Sequence, residues 1–300
     1  MRKASPTNRI PKKPNTVFKV TAKDELMKFL IANLPGKNRN NIKTLLRDRH
    51  IVIDGKAETK FNHPLEPGQQ VEVRWSRVPE AKIYRGISIV FEDDDIIVID
   101  KHSGTLSVAT ATEKRETAYS MLSTHVKIQH ADNKVFVIHR LDKDTSGLMM
   151  YAKNVIAQRT LQESWNTAVK ERTYLAVVEG SVEKDKDTIK SYLKETSALT
   201  VFSSQNPAHG VLSITHYEVM KKTKDFSLLK VNLETGRKNQ VRVHMKDIKH
   251  PVIGDKKYGA KEDPIGRLGL HAWVLSFVHP TTKKEMRFDT PIPRKFLRLF

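Results

Sequence analysis

Apolar residues recur at helical spacing near the start of the chain. Leu26, Phe29 and Leu30 share one face, and beyond the break at Pro35-Gly36 the residues Ile42, Leu45 and Leu46 repeat the pattern, which predicts two short helices. Ile51-Val52-Ile53, the Asp54-Gly55 turn, and Pro67-Gly68 ahead of the alternating Val71, Val73 and Trp75 predict short strands joined by tight turns. A small α+β module closes near Arg77, and Pro79 to Arg85 interrupts the pattern as a connector. Beyond it, alternation and β-branched enrichment predict strands at Ile87 to Phe91, Ile96 to Asp100, Val135 to Arg140 and Leu148 to Lys153. Further strands are expected at Arg172 to Glu179, Ile214 to Val219 and Phe226 to Glu234. A helix from Val155 to Val169 has Asn154 placed as its cap and Ala157, Leu161 and Trp165 on one face. Another begins after Thr235-Gly236, with Val241, Met245 and Ile248 inward. The expected organisation is a tail at 1–14, a module at 15–78 and a larger domain at 79–300.

Charge narrows the class of partner. The 300 residues hold 53 Lys and Arg against 34 Asp and Glu, a net charge of +19, so a polyanion, nucleic acid first, is the expected partner. Apolar runs fall far short of the roughly 20 residues of a membrane-spanning helix, and no membrane role is expected. With no cysteine there is no disulfide, thiolate metal site or cysteine nucleophile, which is compatible with a reducing cytoplasm. The first 14 residues carry five basic side chains, no acid and no apolar segment after them, and read as a basic tail rather than a secretory signal. Lys37, Arg39, Lys43, Arg47 and Arg49 crowd around the second helix, as a phosphate-tracking face or a merely solvated one.

The common cofactor motifs are missing. Neither a G-x-x-x-x-G-K-[ST] nor a G-x-G-x-x-G loop occurs, and the histidines form no i, i+4 pair around a catalytic Glu, so no cofactor and no metal are expected. Asp142 to Gly147 imitates the start of a calcium loop, but Lys153 occupies the position where a bidentate Glu is required. What remains is an apolar strand running into the polar turn His139-Arg140-Leu141-Asp142-Lys143-Asp144-Thr145-Ser146-Gly147 and back into an apolar strand. A carboxylate there beside an arginine suits a nucleophile or base; a turn cap paired with Arg140 explains the same residues.

That string closely resembles the H-R-L-D-x-x-T-S-G signature of the RluA family of RNA pseudouridine synthases. The resemblance continues through Glu171 to Gly180, which carries Tyr174, and through Gly236-Arg237-Lys238-Asn239-Gln240-Val241-Arg242-Val243-His244, similar to the family's G-R-x-H-Q-x-R-x-H block. It extends over Pro251 to Gly259, Leu270-His271-Ala272 and Pro291-Ile292-Pro293, covering about residues 80 to 300. Asn239 departs from it, standing where the family usually has histidine. The N-terminal module resembles, more weakly, the alpha-L RNA-binding fold of ribosomal protein S-four.

The resemblance implies an α+β pseudouridine synthase fold with a mixed, largely antiparallel central sheet, and conversion of uridine to pseudouridine in structured RNA. By it Asp142 is the catalytic carboxylate, Tyr174 stacks on the flipped base, Arg242 pairs with Asp142, and Arg140 assists flipping or fills the vacated space. Thr145, Ser146 and Gly147 shape the turn. Arg237 and Lys238 open a segment, 236–257, with seven basic residues against two acids, suited to phosphate contacts. Large-subunit ribosomal RNA is the first expected substrate and transfer RNA the second, acted on by a cytoplasmic monomer. The rival reading is a non-catalytic RNA-binding ribosome-assembly factor on the same fold, for which Asn239 is the one foothold; hydrolysis of a nucleoside bond needs a second acid or a positioned water, for which Asp144, at a variable position of the family signature, offers slight support.

Overall fold

The computed structural model describes residues 15–47, 50–75, 84–110, 113 and 116–300. The basic tail, Arg49 and most of the expected connector lie outside them. The chain divides into two compact units, Met1–Lys82 with Ile128–Ala131, and Ile83–Lys127 with Asp132–Phe300.

The first unit contains β1 (Thr16–Lys19), β2 (Asp24–Glu25), α1 (Leu26–Asn33), α2 (Arg39–Arg47), β3 (Ile51–Ile53), β4 (Lys56–Ala57), β5 (Pro64–Leu65) and β6 (Gln70–Val73). One sheet has the order β1-β6-β3-β4, and β2 pairs with β5. The apolar helix positions meet Ile51, Val71 and Val73 in one core. Asp54 and Gly55 both have positive φ, as the two-residue turn between the paired Ile53 and Lys56 requires. Trp75 lies past the end of β6, contrary to the strand expected there, and its Nε1 donates to Thr16 Oγ1 at 2.9 Å. Arg39, Lys43 and Arg47, spaced by four, line an exposed stripe of α2 that flanks the buried Ile42 and Leu46.

The second unit opens with β7 (Ile87–Glu92), β8 (Ile96–Lys101), all but the last two residues of α3 (Ala118–Gln129), β9 (Phe136–Val137) and β10 (Ser146–Ala152). Next come α4 (Val155–Glu163), α5 (Trp165–Ala168), β11 (Val169–Glu179), β12 (Lys186–Glu195), β13 (Val201–Ser204), β14 (Val211–Lys222) and β15 (Phe226–Leu233). It closes with α6 (Gln240–Asp247), β16 (Leu270–Val278), β17 (Glu285–Asp289) and α7 (Arg294–Leu297). The sheet order is β13-β12-β14-β15-β11-β16-β10-β8-β7, with β17 on β16 and β9 on β10. Every pairing is antiparallel except β10 with β16, which is confined to Ser146↔His271 and Gly147↔Ala272. The fold is thus the expected α+β architecture with a mixed, mostly antiparallel sheet.

Helices cover both faces, and β10 is buried along its whole length. Met149 and Tyr151 pack with α3 residues, Leu148 and Met150 with Leu161 of α4, as the two-residue period of a strand demands. On β11, Ala176 and Val178 meet Val241 and Met245 of α6, while Leu175 and Val177 meet Phe296 of α7. Two expected elements differ. The strand expected from Val135 to Arg140 is reduced to Phe136–Val137, because residues 138–145 leave the sheet to form the polar loop. The helix expected from Val155 to Val169 breaks at Ser164, whose hydroxyl bonds back to Thr160 O, a contact that competes with the helical ladder. Asn154 caps it as expected, accepting from Ala157 N at 2.8 Å.

Three histidines, His244 and His271 buried and His139 partly buried, tie this unit's stability to pH. Burial holds His139 at about 3, and His244 and His271 at about 4. His139 Nε2 accepts from Met150 N, whereas the other two lie between hydroxyls, Ser191 and Thr215 for His244, Ser146 and Thr290 for His271. A pKa depressed in the folded state gives stability that is complete above the unfolded value near 6.5 and is lost as pH falls below it. At pH 5 each histidine is expected to contribute about 2 kcal/mol less than at pH 7.5. Denaturant midpoints measured across that interval should fall steeply; a flat profile would show that these rings accept protons in the folded protein.

Candidate active site

The carboxylate segment is held from beneath by the turn after β8. Lys101, fully buried at the end of that strand, donates Nζ to the carbonyls of Lys143 at 2.9 Å, Thr105 at 2.8 Å and His102 at 3.2 Å. Burial brings its pKa down to about 8 against the pull of Asp144 and Asp142. Ser107 Oγ donates to Leu141 O and accepts from Leu141 N, and Ser103 Oγ donates to Asp144 O. The far end is fixed by close packing. Gly147 has φ 111°, and a Cβ there would come within 2.1 Å of Ala272 O, so only glycine permits the short parallel pairing that anchors the loop. Ser146 Oγ accepts from Arg267 Nη2 at 2.6 Å and meets His271 Nδ1 at 2.7 Å. These roles match the turn-shaping expected of Ser146 and Gly147.

Asp142 opens onto a cleft of about 390 Å³ whose lining includes Arg140, Tyr174, Arg237, Lys238 and Arg242. All six expected site residues of this unit therefore converge. Tyr174 continues the face of β11 that carries Ala176 and Val178 toward α6, and α6 brings Arg242. Arg242 Nη1 donates to Asp142 Oδ2 at 3.3 Å, while Nε and Nη2 grip both oxygens of Asp255 at 2.7 and 2.8 Å. The two carboxylates are unequal: the Asp255 side chain is 1% exposed and that of Asp142 is 26% exposed. Burial works against the Arg242 charge, but Asp255 and then Asp142 outweigh it and hold the guanidinium above its ordinary range. The arginine also lies over the Tyr258 ring, 5.0 Å from its centroid. Asp255 thus anchors Arg242, which offers one N–H to the more open Asp142.

Asn239 belongs to this network. Its Oδ1 accepts from Arg242 Nη1 at 3.1 Å and its Nδ2 donates to Tyr258 OH at 2.9 Å. It precedes α6 with φ 55°, a left-handed conformation that asparagine tolerates better than most residues. Asn239→Ala is expected to slow turnover roughly 10-fold with RNA affinity nearly unchanged, a loss on the order of one oriented hydrogen bond to a charge. Asn239→Gly, relaxed in backbone but lacking the amide, should show the same loss in single-turnover rates; full activity in it would assign Asn239 to the turn alone.

Burial pushes the Tyr174 phenol up to about 12, so it stays protonated at neutral pH and presents a ring rather than a ready base. Arg140 is exposed at the mouth, and Arg237 and Lys238 are exposed on the rim, with Lys238 paired to Glu195. Lys37, Arg39, Lys43 and Arg47 belong to the other unit, where Lys37 Nζ lies 5.7 Å from the Trp75 ring centroid. Sequence reasoning did not single out Lys101 or Asp255 as site residues. A lysine closing the apolar run Ile96 to Ile99 was the available signal for the first; Asp255 offered none, being one acid in a basic stretch. Away from the cleft, Asp93, Asp95 and His279 lie close enough to hold a cation. Existing bonds account for the group: Asp93 caps the turn into β8 and accepts from His279 Nε2 at 3.0 Å, and Asp95 accepts from Asn154.

Comparison with known proteins places this geometry. Residues 95–247 match the model of the RNA pseudouridylate synthase family. The chain is 33% identical over 299 residues to "Uncharacterized RNA pseudouridine synthase YlyB" of Bacillus subtilis, covering 93% of this chain and 96% of that protein. It is 32% identical over 286 residues to "Ribosomal large subunit pseudouridine synthase D" of Escherichia coli K12, covering 88% and 86%. Among solved structures, human RNA pseudouridylate synthase domain containing 1 superposes with a TM-score of 0.57 at 25% identity, over 72% of this chain and 87% of that one. Fold, cleft and relatives together define an RNA-modifying isomerase. The chain belongs to the RluA-like family of RNA pseudouridine synthases.

Proposed function

We propose that the protein converts uridine to pseudouridine in large-subunit ribosomal RNA, with Asp142 as the carboxylate that acts on the ribose. The observation that carries this reading is the unequal pair around Arg242: a buried Asp255 fixes the arginine, leaving Asp142 partly open in the cleft. The reaction breaks the bond from N1 to C1′ and joins C1′ to C5; the C5 proton leaves and N1 gains one. No electron is transferred. Asp142 acts either as a nucleophile at C1′ or as a base at C2′. Tyr174 stacks on a uridine taken out of its helix, and Arg140 at the mouth assists that step. Arg237 and Lys238 on the rim contact phosphates, which fixes position rather than sequence.

The substrate class rests on the relatives named for ribosomal large subunit RNA, with transfer RNA second. The N-terminal unit is proposed as an alpha-L RNA-binding domain that meets phosphates through Lys37, Arg39, Lys43 and Arg47; the exposed Arg39 and Lys43, four apart on α2, repel one another and favour an anionic partner. Its proposed setting is the cytoplasm, as a monomer. Among the described residues no helix is long and apolar enough to cross a membrane. Asn239, the foothold of the non-catalytic alternative, bonds to Arg242, a contact that supports an active site. The test is incubation with transcripts of large-subunit ribosomal RNA and of transfer RNA, then location of pseudouridine by carbodiimide-dependent primer-extension stops. Stops in the ribosomal transcript are expected; stops confined to transfer RNA would overturn the substrate class.

A further inference from the structure

We propose that the cleft has a second arm that holds the nucleobase next to the target uridine, displaced from its own stack. This rests on the RNA-isomerase reading of the first arm. The arm, about 330 Å³, shares the walls Arg140, Tyr174, Leu233, Gly236 and Arg237 with the Asp142 cleft, so Tyr174 stands between two connected pockets. It exists because β10 and β16 part after two paired residues, β16 going on to pair with β17 from Val274 onward and β10 with β9 at Tyr151 and Ala152. Its floor is apolar, formed by Ile138, Leu148, Ala272, Val274 and Leu275.

The rim is not that of an ordinary packing gap. Gln162, Trp165 and Arg172 stand on it. Trp165, partly buried, packs on His139 with ring centroids 4.9 Å apart, and the Arg172 guanidinium lies 5.8 Å from the Trp165 centroid. Among the described residues Arg172 makes only long hydrogen bonds, Nη2 donating to Leu233 O at 3.4 Å and Glu234 O at 3.3 Å, so a half-buried guanidinium with five donors keeps most of them for a ligand there. Gly236 lets the Arg172 tip lie where it does, since a Cβ there would come within 2.3 Å of Nη1 and displace that flexible end. Gln162 Nε2 donates to Val137 O at 3.1 Å, which leaves Oε1 as the acceptor its amide can offer.

An apolar slot with an indole face, a planar cation and an amide acceptor matches the faces and edges of a nucleobase. The net positive walls exclude a cationic occupant, and continuity with the Asp142 cleft makes the neighbouring nucleotide of the same strand the occupant within reach. The pocket then reads the residue beside the target, giving site selection that phosphate contacts do not supply.

The test uses five-nucleotide RNAs with a central uridine and 2-aminopurine on its 5′ or 3′ side. The native protein should quench the fluorophore in one of the two, and Trp165→Ala should not. On an RNA in which the native protein forms pseudouridine, Trp165→Ala should lower single-turnover kcat/KM about 10- to 100-fold, a stacking-sized loss. Trp165→Phe should retain most of the rate, and Gln162→Ala, an exposed change that leaves the fold intact, should lower it several-fold. An abasic ribose at the quenched position should cost the native protein the same factor and cost Trp165→Ala nothing more. Absence of quenching in both RNAs, or losses that multiply independently, would overturn the second pocket. Failure of the native protein to form pseudouridine would instead strike the isomerase reading, while the fluorescence result would still decide the pocket.

Discussion

Asp255→Asn is expected to be the most destabilising single change at the site. The substitution keeps the shape of the side chain but removes the charge that two short hydrogen bonds commit to Arg242, in a position only 1% exposed. It leaves a half-buried guanidinium facing a neutral amide, and breaking one side of such a pair costs about 3–5 kcal/mol. For a unit of this size that is a melting temperature lower by roughly 10 °C. Turnover should also collapse, because an unanchored Arg242 can close onto Asp142 and occupy the carboxylate. A double change, Asp255→Asn with Arg242→Met, separates the two effects: replacing both charges should recover much of the stability while activity stays lost. Thermal melts and single-turnover rates on the three proteins check this; a single variant with native stability would show that Asp255 does not carry the arginine's charge.

Asp142→Asn is expected to give the opposite signature from the same arginine. Its contact with Arg242 is one hydrogen bond of 3.3 Å, and its side chain is open to the cleft. Stability should therefore change little, and relief of a polar group held for chemistry can raise it slightly. Turnover should fall roughly 10⁴-fold or more, as for loss of a nucleophile or base, while RNA affinity stays within about twofold because the phosphate contacts remain. Filter binding and single-turnover assays measure the two quantities separately. A parallel loss of affinity and rate would recast Asp142 as a binding residue.

Much of this contrast was legible in the sequence, but unevenly. The polar turn at 139–147 between apolar runs and the block at 236–244 located Asp142 and Arg242, yet no periodicity places two residues one hundred positions apart in contact. Their meeting depends on the parallel pairing of β10 with β16, which needs Gly147. Asp255 and Lys101 were hidden because their roles are tertiary: one acid within a basic run, and one lysine folded under the loop it supports. Two of the elements that escaped the pattern share a cause. β12 (KDTIKSYLKE) is largely polar on its solvent side, and α3 (AYSMLSTHVKIQ) buries small and polar residues among few large ones, so neither shows a clear period. The strand expected at 135–140 shortened for the opposite reason. Phe136 and Val137 pair with β10, but Ile138 packs into the Leu148 and Leu161 cluster instead of continuing the ladder.

The pseudouridine product has the same mass as uridine, so the informative atom is the one that leaves. The decisive measurement is tritium release from RNA labelled at uridine C5, comparing the native protein with Asp142→Asn on the same large-subunit ribosomal transcript. Release by the native protein, matched one for one by pseudouridine and absent from Asp142→Asn, is the predicted result. Equal release by both proteins would contradict the role of Asp142, and release by neither would contradict isomerase activity on this RNA.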